Sequence, residues 1–136
     1  MTKVYIEKDE GAIWYYKDPE MTIPHREDGP AVEGINGTKF WYQNGQRHRL
    51  NGPAIEYADG YKAWWQNGKI HRLDGPAIEY ANGDKFWYQN GKLHRLDGPS
   101  ILWNNGDKEY WYQDEEFSNI QTDEQWKKHL KWMKFQ

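Results

Sequence analysis

The sequence predicts an all-β repeat: a single layer of antiparallel β-hairpins stacked as a solenoid and closed by a C-terminal α-helix. Three observations carry that expectation. His25, His48, His71 and His94 stand 23 residues apart, as do Gly29, Gly52, Gly75 and Gly98 with the proline that follows each, and a fixed period of this length marks a repeat architecture. Eleven of the 13 glycines follow Asn or Asp, pairs that tolerate the positive φ of tight hairpin turns. The last stretch, "TDEQWKKHLKWMKF", changes to helical spacing.

Taken in order, residues 1–24 form an N-terminal strand region. Within it "AIWYYKDPEMTIP" is a degenerate half-unit, since Trp14 and Tyr15 resemble the pair Trp41 and Tyr42. Residues 25–117 hold four repeats of 23 to 24 residues. The segments "PAIEY" (53–57 and 76–80), "YKAWWQ" (61–66) and "DKFWYQ" (84–89) are rich in β-branched and aromatic residues and read as strands. The fourth unit keeps Gly98, Pro99 and Gly106, loses its Asn-Gly, and is read as carrying one extra residue before Trp111. Identical units in one orientation favour two chain reversals each. One is a hairpin at "ADG" or "ANG"; the other is a long connection "NGKIHRLDG", or else "KIHR" is itself a short strand and "DGP" a corner. Alternation sets Phe86 and Tyr88 on one face and Lys85, Trp87 and Gln89 on the other, giving both faces an aromatic column.

Residues 118–136 are the helix. Thr122 and Gln125 have capping-box spacing, and Trp126, Leu130 and Met133 make an apolar stripe. Asp123 and Glu124 begin it and lysines end it, as the helix dipole favours. Such a helix covers the last, otherwise open strand. Trp132 and Phe135 fall off the stripe, which leaves a partner-binding or membrane-surface role open.

Composition bounds the rest. Hydrophobic residues make up 37% and aromatic residues 17%, so the expected core is Trp and Tyr more than Leu and Val. A net charge of −3 points neither to nucleic acid nor to an acidic mimic of it. Residues 126–136 carry four lysines and no acid, while the remainder has 14 basic and 21 acidic side chains, a balance of −7. Without cysteine there is no disulfide and no thiolate metal site. The start "MTKVYIEKDE" lacks a signal-peptide apolar run and no segment has the length of a membrane span, so a cytoplasmic protein is expected.

A 23-residue unit with "YQNGKLH", a following glycine and "YANGD" resembles the MORN repeat, whose units are stacked β-hairpins. The resemblance covers residues 25 to 113. It departs where that family has a glycine two residues before its main aromatic and this chain has Phe40, Ala63 and Phe86. The "WYxNGxxHRxDGPA" pattern is more similar to repeat proteins of bacteriophages and giant viruses. The resemblance implies a scaffold or binding module, with no catalytic residues attached to the motif.

The pairs His48–Arg49, His71–Arg72 and His94–Arg95, with His25–Arg26, are the sharpest candidate site. Stacked guanidiniums can read phosphates or acidic side chains through bidentate bonds. Alternatively each Arg stacks on a Trp and bonds Asp74 or Asp97, while each His bonds a turn carbonyl. Asp28, Asp74 and Asp97 share their place with Asn51, which suits an Asx turn rather than a metal or an acid catalyst. Glu33, Glu56 and Glu79 read as an exposed strand position. Histidines stacked about 10 Å apart do not converge on zinc.

Trp41, Trp64, Trp87 and Trp111 make a second column. Uncovered, it anchors a protein partner or stacks sugars or bases; covered, it packs under the helix, a curled sheet or a second copy in a homodimer. No phosphate loop or paired nucleophile and base is present, so neither enzyme activity nor a cofactor is expected. The function expected is a non-enzymatic protein–protein interaction module, and the viral resemblance implies an inhibitor of a host defence protein in the host cytoplasm. The alternatives are a repeat that holds carbohydrate, nucleotide or nucleic acid along the Trp and Arg columns, and a membrane-surface scaffold.

Overall fold

A computed structural model of the chain describes residues 3 to 134, and the chain divides into two units, Met1–Lys69 and Ile70–Gln136. The first begins with the hairpin β1 (Tyr5–Lys8) and β2 (Ala12–Tyr16), followed by β3 (Val32–Gly34), β4 (Lys39–Phe40), β5 (Tyr42–Gln43), β6 (Gln46–Arg47), β7 (Ile55–Glu56), β8 (Lys62–Ala63) and β9 (Trp65–Gln66). Strands β1, β2, β3, β4, β7 and β8 lie side by side in that order, all antiparallel. Strand β5 pairs with β6 in a separate small hairpin. Strand β10 (Lys69–Ile70) stands at the division.

The second unit repeats the plan with β11 (Ile78–Glu79), β12 (Lys85–Phe86), β13 (Tyr88–Gln89), β14 (Lys92–Leu93), β15 (Ile101–Leu102), β16 (Lys108–Glu109), β17 (Trp111–Tyr112) and β18 (Glu115–Glu116), and ends in α1 (Asp123–Met133). Strands β11, β12, β15 and β16 form its sheet, while β13–β14 and β17–β18 are the small hairpins. The fold class is thus antiparallel β-hairpin repeats with a C-terminal helix.

Two kinds of turn make the repeat. In the sheet hairpins, Gly60 N donates to Tyr57 O at 3.1 Å and Asp59 Oδ1 accepts the Tyr61 amide at 2.9 Å. With Gly60 at φ 103° this is a type I turn closed by a left-handed bulge residue. Asn36, Asn82 and Asn105 bond the amide two residues on in the same way. The small hairpins turn on Asn-Gly, or on Gln113–Asp114 between β17 and β18, with both residues at positive φ, as at Asn44 (52°) and Gly45 (79°), the signature of a two-residue type I′ loop. The path is therefore the one in which "KIHR" and its equivalents contribute a short strand and "DGP" is a corner.

The core differs from the one expected. Ala31, Ala54, Ala77 and Ser100 are wholly buried beside Val32, Ile55, Ile78 and Ile101, so small and aliphatic side chains fill it, while most Trp and Tyr residues are half-buried or exposed. The cause is close backbone approach. Ala54 N donates to Ala63 O at 2.8 Å and Ala54 O accepts Trp41 N at 2.7 Å, which leaves space for little more than a methyl group. The opposite face pairs charges across strands, Glu33 with Lys39, Lys39 with Glu56, and Glu56 with Lys62.

Nor does the alternation of residues 85–89 run through one strand. The chain leaves the sheet at Trp87, whose amide donates to Ser100 O at 2.7 Å and whose carbonyl accepts His94 N at 3.0 Å. Phe86 and Tyr88 consequently belong to different sheets.

The terminal repeats align one residue away from the expected match. Strand β16 lies 23 residues after β12, and β17 lies 23 after β13. There is no extra residue in the fourth unit: Tyr110 takes the place of Trp87, and Trp111 that of Tyr88. At the other end the half-unit is present, but Tyr15 rather than Trp14 occupies the place of Trp41. Its amide bonds Ala31 O at 2.8 Å as Trp41 bonds Ala54 O, and its carbonyl accepts His25 N at 3.0 Å as that of Trp41 accepts His48 N.

Thr122 and Gln125 form the capping box, each accepting a backbone amide from the other. Trp126, 1% exposed, packs on Tyr110 and Phe117 with ring centroids at 5.7 and 5.6 Å, joined by Leu130. Trp132 is exposed, and Phe135 lies outside the described residues. Among the described residues no helix is long and apolar enough to cross a membrane.

Candidate binding surface

Each His-Arg corner is held from inside. His25 Nδ1 accepts the Asn44 amide at 2.9 Å, His48 that of Asn67 at 3.0 Å, His71 that of Asn90 at 3.0 Å and His94 that of Gln113 at 3.2 Å. The expected bond to a turn carbonyl is replaced by one from a turn amide. An imidazole that accepts at Nδ1 is neutral with its proton on Nε2. The ring is thereby committed to locking the Asn-Gly turn, or its Gln113–Asp114 substitute, onto the corner. Burial lowers the pKa of His94 below the usual histidine value.

The arginine explains the residues that follow it. Arg72 Nε donates to Asp74 Oδ1 at 3.0 Å and its Nη1 to Pro76 O at 3.0 Å; Arg26 and Arg95 do the same with Asp28 and Pro30, and with Asp97 and Pro99. With Asn51 in the aspartate's place, Arg49 keeps the bond to Pro53 O at 3.0 Å. Asp28, Asp74 and Asp97 are thus guanidinium acceptors, as in the alternative in which each Arg stacks on a Trp and bonds an aspartate, and not Asx-turn residues; that role belongs to Asn36, Asp59, Asn82 and Asn105. The bond from Arg26 holds the Asp28 carboxyl below the usual carboxylate range.

The glycine of Asp-Gly-Pro is also reassigned. Gly29, Gly52, Gly75 and Gly98 are absent from the positive-φ positions. A methyl group on Gly52, Gly75 or Gly98 would lie 2.8 Å from its arginine's guanidinium carbon. Glycine is there to admit the guanidinium, and the tripeptide is a seat for arginine.

Aromatic rings form the other side of that seat. The Arg49 guanidinium carbon lies 3.9 Å from the centroid of Trp41, that of Arg95 4.0 Å from Trp87, and that of Arg26 4.1 Å from Tyr15. Glu33, Glu56 and Glu79, expected to be exposed, are partly buried, with their carboxylates 3.5, 3.9 and 3.8 Å from Arg26, Arg49 and Arg72. Trp64 holds the same 23-residue register as Trp41 and Trp87. Trp111 does not: its amide and carbonyl bond the Ser100 hydroxyl and its indole faces Glu109.

Between corners lie equivalent grooves. In the first unit one of about 560 Å³ is lined by residues including Asp28, Trp41, Gln43, Arg49 and Leu50. In the second, one of about 370 Å³ is lined by Asp74, Trp87, Gln89, Arg95 and Leu96, with Leu73 beside them. The leucines were overlooked as site residues, although "HRL" recurs with the period. Leu50 and Leu73 are 75% exposed and Leu96 51%. A larger polar pocket of about 840 Å³ lies between Trp103–Glu109 and the start of α1. There the indoles of Trp103 and Trp111 occupy Glu109, and the Tyr110 hydroxyl donates to Asp123 at 2.6 Å. Among the described residues no group of His, Asp and Glu could hold a metal ion.

Compared with known proteins, the chain matches no family model and no curated protein.

Proposed function

We propose that this chain is a non-enzymatic protein-binding module of MORN-like repeats that engages its partner along the His-Arg corners. The observation that carries the reading is the recurrence, 46 residues apart, of one groove whose arginine is already bonded and stacked and whose rim carries a bare leucine. Such a surface is rigid, needs no polar repair on binding, and offers the apolar and aromatic anchors on which interface energy concentrates. Inhibition of a host defence protein is the form of this activity that the resemblance to viral repeat proteins favours.

Capture from a host lysate tests it with two baits, the wild-type chain and a Leu50→Asp, Leu73→Asp, Leu96→Asp variant with an unchanged melting curve. A stoichiometric partner is expected on the first and not on the second. Equal capture by both, or none by either, rejects the reading.

A second reading has its own observation: Trp132 is 58% exposed on a helix whose Lys127, Lys128 and Lys131 are also exposed, as suits an anionic membrane surface. Flotation with phosphatidylserine vesicles that is unaffected by Trp132→Ala disposes of it.

A further inference from the structure

We propose that the corner grooves select a helical partner segment carrying cationic and apolar side chains at seven-residue spacing. The inference rests on the protein-binding reading above and specifies its partner.

The sign of the charge follows from which half of each ion pair faces solvent. The arginines point inward: the side chains of Arg26, Arg49, Arg72 and Arg95 are 22 to 25% exposed. Each already donates to a proline carbonyl. Their carboxylates point outward, with Asp28, Asp74 and Asp97 86 to 88% exposed and bonded to arginine through one oxygen. Glu27 adds another exposed acid at the first corner, at 68%. An approaching molecule therefore meets carboxylate before guanidinium, although the sequence is read first as a row of arginines. The groove floor does not change the sign, because the faces of Trp41 and Trp87 that lie under Arg49 and Arg95 are taken.

Between a helix and a fully extended strand, the spacing favours the helix. Equivalent corners of adjoining repeats within a unit are two strand spacings apart, about 9.6 Å. A helix returns to the same face after seven residues, a rise of about 10.5 Å, whereas an extended segment returns every two residues, about 6.6 Å. A helix with leucine and lysine repeated at seven places an apolar side chain against Leu73 and Leu96 in successive turns of the pattern. Its ammonium groups then fall beside Asp74 and Asp97.

Asparagine is a conservative replacement for the aspartates, because the second corner already has it: with Asn51 in place, Arg49 still stacks on Trp41 and bonds Pro53. The probes are two labelled synthetic helices of the same leucine pattern, one with lysine and one with glutamate at the flanking positions, titrated by fluorescence anisotropy. The lysine helix is expected to bind, with affinity falling as salt rises. The glutamate helix is expected to show no binding. Asp28→Asn, Asp74→Asn, Asp97→Asn should weaken the lysine helix about tenfold and flatten its salt dependence, while Glu115→Gln, Glu116→Gln on β18 leaves it unchanged.

Binding of the glutamate helix as tightly as the lysine one, or indifference to the triple Asn variant, overturns the inference. If neither helix binds while lysate capture still depends on the leucines, this inference fails and the protein-binding reading stands. Loss of leucine-dependent capture removes both.

Discussion

Trp87 and Tyr110 occupy the same place in successive repeats, yet one is a half-buried floor and the other is sealed. Trp87 is roofed by the Arg95 guanidinium. Tyr110, 1% exposed, is roofed by Trp126, whose indole nitrogen reaches back to Arg95 O at 3.1 Å. Where the next repeat would have supplied an arginine, the helix supplies a tryptophan. The aromatic position is therefore a support whose cover depends on its neighbour, and only inside the array is that cover charged and its rim open to a partner. Burial and the bond to Asp123 both push the Tyr110 phenol well above the usual tyrosine value, as expected of a hydroxyl that has become structural.

Trp126→Ala tests this contrast most severely. Removing a fully buried tryptophan costs about 3 to 5 kcal/mol, and the melting curve of the second unit should collapse accordingly; a loss no larger than that of an exposed substitution such as Trp132→Ala contradicts the sealing role. Gly98→Ala comes next. The added methyl meets Arg95 at its seat, and crowding of this kind costs about 1 to 3 kcal/mol; Arg95→Ala in the same background should recover part of the loss.

His94→Asn acts on pH dependence. Its folded pKa is lowered by burial, so the unfolded chain takes up the proton first. Stability should fall as pH drops below about 6.5 and through the lower folded value. Asparagine can accept the Gln113 amide without titrating, so chemical denaturation between pH 7 and pH 5 should show a shallower decline than in the wild type. The smallest effect is expected of Asn51→Asp, which supplies Arg49 with the exposed carboxylate the other corners have. It should raise the melting midpoint slightly and lose that gain in high salt.

The period, the Asn-Gly turns and the capping box were legible because each is a local rule written in few residues. The register of the last repeat was not. "EYWYQ" offers three aromatics in a row, and matching Trp to Trp is one residue off; the backbone aligns Tyr110 with Trp87 because β16 and β12 must pair alike. The buried ladder of Ala31, Ala54, Ala77 and Ser100 was visible in every "GPA" or "GPS" but was outweighed by the aromatic count. In fact the rings are too large for positions where backbones approach within hydrogen-bonding distance on both sides. Asp-Gly-Pro misled for a related reason. Asp-Gly is a turn signal by propensity; the recurrence of Arg with Asp suggests the bond between them, but nothing local reveals that the guanidinium folds back over the glycine.

The arginine seat has a consequence for how such a chain can change. The side-chain bonds of a corner are made within its own 23-residue unit, including the one to the turn 19 residues on, or to the ring of the unit before it, so an in-frame duplication or deletion of 23 codons leaves each remaining seat complete. Strip length is then open to selection by recombination alone. Because grooves linked in one chain that engage one ligand raise the effective concentration of each for it, an added copy would raise avidity without a single new contact having to be invented.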